Sequence, residues 1–335
     1  PFLALRIPGR TNFAVCQTLF KSTFINLFHS SSVIFTGSAF ELTPALFTAP
    51  LHFYKSFRRS RQIIKGADIL IGFGGYVSAP AYLAAALTRT PFVIHEANAR
   101  PGLANRLGAL FTRYTAVAHP VMGGSLKKSL LTGLPLKENI ASAHESAQRD
   151  WRSARLAAKR ALGFDEQAPL VFIFGGSQGS VAINEVIARS QQALASQGVN
   201  ILHGVGARSA LPESKSGYKA VNYISDMATA YLAADLIIAR SGAVTCAEVN
   251  TLGRYALFIP LPIGNGEQNL NAASLVSQGR AEILPQTQFS AEWMNQNLRR
   301  LLAQSSAAPI SGSTIDIEAT TKIVALMDYA LSGGK

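Results

Sequence analysis

Three observations predict an α/β chain built of two doubly wound domains. Short runs of continuous apolarity recur along the 335 residues. They lie at 68–73 (DILIGF), 91–95 (PFVIH) and 114–118 (YTAVA), then at 170–174 (LVFIF), 200–204 (NILHG), 235–239 (DLIIA) and 255–260 (YALFIP). Strands covered on both faces read this way, as in parallel sheets. Helical patterns separate these runs at 80–88, 183–196, 244–252 and 270–278, which gives β-α-β-α twice over. Charge is the third observation: 31 Lys+Arg stand against 19 Asp+Glu, a net +12. Residues 1–135 hold 14 basic and 3 acidic side chains, whereas residues 136–335 hold 17 and 16. Two domains with different partners account for that split, and the length suits two.

The elements follow in order. Residues 1–50 are aromatic-rich and punctuated by proline, with no clear α/β unit. Residues 51–65 (LHFYKSFRRSRQIIK) form a basic amphipathic helix, and Gly133-Leu134-Pro135 closes the first domain, 1–135. A linker, 136–167, contains a second basic helix at 151–162 (WRSARLAAKRAL). The second domain covers 168–313, and the tail 314–335 carries a final helix at 314–331.

Several classes are excluded. Apolar content of 48% with 15% charge is the opposite of a disordered composition. Cys16 and Cys246 are too far apart in sequence for a metal-ligand spacing and too few for a disulfide framework, so a reducing cytoplasm is the default. Two uncharged windows approach the ~20 positions of a membrane span. The window 22–40 is too polar, and 69–88 is broken by Gly72, Gly74, Gly75 and Pro80. No G-x-G-x-x-G turn follows any strand, which disfavours a nicotinamide-dependent enzyme.

Glycine turns at strand ends carry the chemistry. Gly175-Gly176-Ser177-Gln178-Gly179 joins LVFIF to a helix. Such a turn brings backbone close to a ligand, and the helix start offers free N–H groups and the positive dipole end, which suits a diphosphate. A tight strand–helix turn with no ligand reads equally well from the glycines alone. Arg240-Ser241-Gly242 opens a second helix, with Ala243, Val244 and Thr245 at its start and Glu248 one to two turns in. A carboxylate there can accept both ribose hydroxyls. Gly264-Asn265-Gly266-Glu267-Gln268 opens a third, and the Gln268 amide suits sugar hydroxyls. In open α/β sheets such turns share one crevice. In the first domain, Gly74-Gly75 and His95-Glu96-Ala97-Asn98 again follow strands. His95 reads by type as a strand-end histidine satisfied within the sheet, while Asn98 lies in a loop rich in glycine, proline and asparagine.

The segments GFGGYVSAP, HEANARPGLANRLGA, GGSQGS, YISDM, RSGAVTCAE and GNGEQNLNA, colinear over 67–279, resemble the successive signatures of the MurG family of UDP-N-acetylglucosamine transferases. The resemblance implies a GT-B fold, two Rossmann-like domains facing a cleft. It also implies a donor site: Ser177 on phosphate, Ile224 on uracil, Ala243, Val244 and Thr245 along the nucleotide, Glu248 on the ribose, and Gln268 and Asn98 on the N-acetylglucosamine. Gly175, Gly176 and Gly179 are the phosphate-loop glycines. The family's G-N-P-V-R reads here as Gly133-Leu134-Pro135-Leu136-Lys137, so Lys137 replaces an arginine and loses its bidentate fork. HEQN reads HEAN, with Ala97 for glutamine. The family's opening G-G-T-G-G-H acceptor loop is not in the sequence, so the expectation is a first domain incomplete at its N-terminus.

The implied reaction is inverting transfer of N-acetylglucosamine from UDP to the C4 hydroxyl of lipid I (undecaprenyl-diphospho-muramoyl-pentapeptide), in peptidoglycan synthesis. No cofactor or metal is expected, UDP-N-acetylglucosamine being a substrate. The catalytic base is unassigned, with His95 a substitute for the family's histidine. The alternative is a catalytically silent UDP-sugar-binding protein at the membrane. Lys55, Phe57, Arg58, Arg59 and Arg61 are expected to meet an anionic membrane surface on the cytoplasmic face, and no nucleic-acid motif accompanies them.

Overall fold

The computed structural model describes residues 2–5, 44–75, 78–263, 266–308 and 311–333. They fall into two compact units, Pro1–Pro135 with Ile315–Lys335, and Leu136–Thr314.

The first unit contains a five-stranded sheet in sequential order: β1 (Phe2–Leu5), β2 (Ile69–Gly72), β3 (Phe92–Glu96), β4 (Thr115–Val117) and β5 (Leu130–Leu131). β1 runs antiparallel to β2 and all other pairings are parallel. Successive side chains point to opposite faces, and both faces are covered, which is why these strands are apolar throughout. Ile69, Ile71 and Val93 pack on Ile323, Val324 and Met327 of the C-terminal helix α11 (Ala319–Leu331). Leu70 and Ile94 pack on the other side, with Ile64 of α1 (Pro44–Ile64) and Tyr82 and Ala85 of α2 (Ser78–Thr88). The short α3 (Leu103–Gly108) follows β3. The tail helix thus completes the sheet at the other end of the sequence. Among the described residues no helix is long and apolar enough to cross a membrane.

The second unit contains six parallel strands in the order β11-β10-β9-β6-β7-β8. They are β6 (Leu170–Phe174), β7 (Asn200–Gly204), β8 (Tyr218–Val221), β9 (Leu236–Ala239), β10 (Ala256–Phe258) and β11 (Ala281–Ile283). This is the dinucleotide-fold order, whose direction reverses between β6 and β9. Val171 and Ile173 face α6 (Val181–Ala195) and α10 (Ala291–Ala307). Leu170, Phe172 and Phe174 face the opposite layer: α4 (Glu138–Arg149), α5 (Trp151–Ala161), α7 (Met227–Ala233), α8 (Ala243–Thr251) and α9 (Glu267–Ser277).

Residues 136–167 are integral to this unit, with Ile140, Ala143 and Ala158 in its core. The basic helix α5 is held by charge: Lys159, fully buried, lies 2.8 Å from Asp235 Oδ2, and Arg155 Nε donates to Asp235 Oδ1 at 2.7 Å. Trp151 carries the Arg254 guanidinium 3.5 Å above its ring. Two of the α5 cations therefore neutralise a carboxylate at the foot of β9 instead of facing solvent.

Candidate functional site

All strands of the second sheet are parallel, so the segments that follow them emerge at one edge. Open α/β sheets bind ligands there, at the switch point. The turn after β6 holds Gly175, Gly176, Ser177 and Gly179, and Ser177 is half-buried. It ends in Ser180, whose Oγ caps α6 by accepting from Ile183 N at 3.4 Å. Arg240, at the end of β9, donates to that same Oγ at 2.7 Å and to Ile259 O and Pro260 O at 2.9 and 3.0 Å. One guanidinium thus ties together the ends of β6, β9 and β10. Burial lowers its pKa to about 10, so it stays cationic at neutral pH.

Gly242 precedes α8, placing Ala243, Val244 and Thr245 half-buried in the first turn. Glu248, one turn further on, is 5% exposed, and its Oε2 accepts from Tyr231 Oη at 2.8 Å. Burial raises the Glu248 pKa to about 7, against the opposing Tyr231 hydrogen bond and the positive charge of Lys137. The arrangement brings Lys137, which lies just before α4, into the electrostatic environment of Glu248. A carboxylate poised near neutrality in a buried site fits a ligand that donates hydroxyls to it.

Ile224 is half-buried beyond β8, against Gly204 and the core. The adjacent Asp226 caps α7, accepting from Thr229 N at 3.2 Å, which gives the YISDM segment a local structural reason. Gln268 lies in the first turn of α9, and its Oε1 accepts from Leu261 N at 2.9 Å, so its amide nitrogen is the group left to donate. Gly264 and Asn265 lie outside the described residues.

The first unit has its own ordered loop, organised by Glu96. This 3%-exposed carboxylate accepts from Asn98 N (3.0 Å), Gly102 N (2.9 Å) and Asn105 Nδ2 (2.9 Å). Tyr82 Oη donates to Asn105 Oδ1 at 2.7 Å and accepts from Gly74 N at 3.3 Å. Asn98 is thereby held half-buried at the edge of β3.

His95, the candidate substitute base, lies in β3. It is fully buried, its Nε2 lies 2.9 Å from Gly133 O, and burial lowers its pKa to about 4. Through Nε2 it pins β3 to the segment after β5, while its Nδ1 is buried with no hydrogen-bond partner among the described residues. Leu134, where the family's asparagine is expected, is 1% exposed, with its N–H donating to Asp316 Oδ1 at 2.7 Å.

On α1, Lys55, Arg58, Arg59 and Arg61 are exposed, and Phe57 is half-buried against the Ile64–Tyr82 core. Phe53, Tyr54, Phe57, Leu83, Leu87 and Phe111 line an apolar recess of about 490 Å³ between α1 and α2. Leu87, Leu103 and Leu110 are 74, 79 and 70% exposed.

Sequence reasoning passed over Tyr231, Glu96, Asn105 and the 204–209 segment. A signal existed for the last: glycines at 204 and 206, at the end of a strand and just beyond it. Tyr231 gave none, because its partner lies 17 residues away.

Comparisons with known proteins agree with this geometry. Residues 170–324 match the glycosyltransferase family 28 C-terminal domain, and residues 21–117 match its N-terminal domain. The chain is 40% identical over 268 residues to the UDP-N-acetylglucosamine–N-acetylmuramyl-(pentapeptide) pyrophosphoryl-undecaprenol N-acetylglucosamine transferase of Streptomyces coelicolor, covering 78% of this chain and 71% of that one. To the enzyme of the same name from Frankia casuarinae it is 38% identical over 301 residues, 85% of this chain and 77% of that one. The crystal structure of Acinetobacter baumannii MurG superposes with a TM-score of 0.60 at 28% identity, covering 84% of this chain and 78% of that one. A UDP-GlcNAc 2-epimerase from Neisseria meningitidis, at 13% identity and a TM-score of 0.56 over 82% of this chain and 80% of that one, shares the fold alone. The chain therefore belongs to the MurG branch of glycosyltransferase family 28, a GT-B glycosyltransferase with two Rossmann-like α/β domains.

Proposed function

We propose that this chain transfers N-acetylglucosamine from UDP-N-acetylglucosamine to the C4 hydroxyl of lipid I, making lipid II for peptidoglycan. The observation that carries the reading is the switch-point edge of the second sheet, where the glycine turn follows β6 and the helix bearing Glu248 follows the neighbouring parallel β9, in a chain 40% identical to an enzyme of that name. The acceptor oxygen attacks C1 of the sugar, the C1–oxygen bond to the diphosphate breaks, and the configuration inverts. UDP departs with the electron pair. Amides of the 175–179 turn and the N-terminus of the 15-residue α6 face the growing negative charge, with Ser177 adding a hydroxyl. Glu248 accepts the ribose hydroxyls, with Lys137 contributing charge nearby. Ile224 meets the base. Gln268 and Asn98 take the sugar. The general base is not among the residues named.

The basic, apolar-backed helix α1 supports a peripheral site on the anionic cytoplasmic face of the membrane, where the acceptor's polyprenyl chain is embedded. Each basic residue near such a surface is worth about 1 kcal/mol. Incubating the chain with labelled UDP-N-acetylglucosamine and a lipid I analogue in vesicles tests the reading. The expected product is a β-1,4-linked lipid disaccharide together with UDP. Donor binding without any product would overturn it.

A further inference from the structure

The turn that faces the diphosphate does not hold its shape alone. Gly179 (φ +82°) and Gly206 (φ +92°) lie backbone to backbone. A Cβ on Gly179 would run into Val205 O, and one on Gly206 into Gly179 N. Ala207 N donates to Ser177 O at 3.2 Å. The 175–179 turn therefore rests on the segment that leaves β7.

That segment is fastened in turn by a side chain from α6. Asn184 Nδ2 donates to Val205 O at 2.8 Å and to Ser209 Oγ at 3.0 Å. A carbonyl can only accept, so the amide orientation of Asn184 is fixed and its Oδ1 faces His203 Nε2, 3.1 Å away. His203 must donate from Nε2, which leaves Nδ1 to accept from Tyr218 Oη at 2.9 Å. Burial keeps this 1%-exposed imidazole neutral, with its pKa lowered to about 4. The chain Tyr218, His203, Asn184, Val205 thus has one consistent direction, and such buried, satisfied chains are stiff.

We infer that Asn184, oriented by His203 and Tyr218, is a positioning residue for diphosphate binding, acting through Val205 and Ala207 on the 175–179 turn. This rests on the donor reading above. Ala243 and Glu248 lie on other segments, and Ile224 meets this one at Gly204, whereas the 175–179 turn bonds to it at Ala207, so the effect falls chiefly on the diphosphate.

The test is the dissociation constants of UDP and of uridine, measured by ligand-observed NMR on the full chain. Wild type is expected to bind both, UDP the more tightly. Asn184→Ala and His203→Phe are expected to weaken UDP about tenfold, the size of one lost oriented hydrogen bond, and uridine by less than about twofold. His203→Gln, whose amide can donate to Asn184 Oδ1, is expected to recover most of the UDP affinity. Equal weakening of UDP and uridine, as general damage would produce, overturns the inference, and so does unchanged UDP affinity. A wild type that binds neither ligand overturns the donor reading, and this inference with it.

Discussion

The two units solve the same structural problem with different materials. Both place loops at the ends of parallel strands, and both bury a histidine in the strand that leads there, His95 in β3 and His203 in β7. In the first unit the ordered loop hangs on one carboxylate, Glu96, which collects backbone and amide donors. In the second the turns lean on each other through backbone, with Arg240 and Asn184 as clamps. The first unit also carries the excess positive charge and the open apolar recess, while the second is nearly neutral. The difference fits the tasks proposed for them, an anionic surface for the first unit and a small anionic donor for the second.

Changes in the first unit should break surface binding and leave the nucleotide alone. Arg58→Gln, Arg59→Gln and Arg61→Gln together remove about 3 kcal/mol of attraction, roughly a hundredfold in partitioning onto phosphatidylglycerol vesicles in a flotation assay. UDP affinity should stay unchanged. Glu96→Ala strands two backbone N–H groups and the Asn105 amide, and should lower the unfolding free energy by about 3 kcal/mol in denaturant titration. A much smaller loss would show that the first unit's loop is as self-supporting as the second's.

The second unit should respond to pH through Glu248. Its pKa is raised from 4.5 to about 7, so its protonated form stabilises the ligand-free protein. That contribution is fully present below 4.5 and is lost as pH rises through about 7. It amounts to about 3 kcal/mol, and Glu248→Gln should abolish this part of the stability–pH curve. In the proposed ribose contact the ionised form accepts both hydroxyls, so KM for UDP-N-acetylglucosamine should rise as pH falls below 7, by up to about tenfold per unit, and stay flat in Glu248→Gln. The smallest effect expected is for Tyr231→Phe, which removes one hydrogen bond to Glu248 and should raise that KM about threefold to tenfold.

Most of the strands were legible because burial on both faces makes a strand apolar throughout. The ones missed lack that mark: β5 is two exposed leucines, β8 alternates as an edge strand does, and β11 is a three-residue edge strand with a glutamate at its centre. β1 is four residues long, in a stretch without any helical partner in its pattern. Of the candidate site, the placement of the glycine turns and of Glu248 after strands was legible, because local chemistry announces it. The pairs Tyr231–Glu248 and Asn184–His203 were not, since they form only when separate elements pack together. Residue type already reads His95 as a strand-end histidine satisfied within the sheet, and the fold adds its partner, Gly133 O on Nε2.

The most direct test compares UDP-N-acetylglucosamine dissociation constants, by calorimetry, for Glu248→Ala and for the Arg58, Arg59, Arg61 triple variant. A donor site in the second unit predicts a loss of about tenfold to a hundredfold in Glu248→Ala, and wild-type affinity in the triple variant. Unchanged binding in Glu248→Ala, or a comparable loss in both, would contradict it.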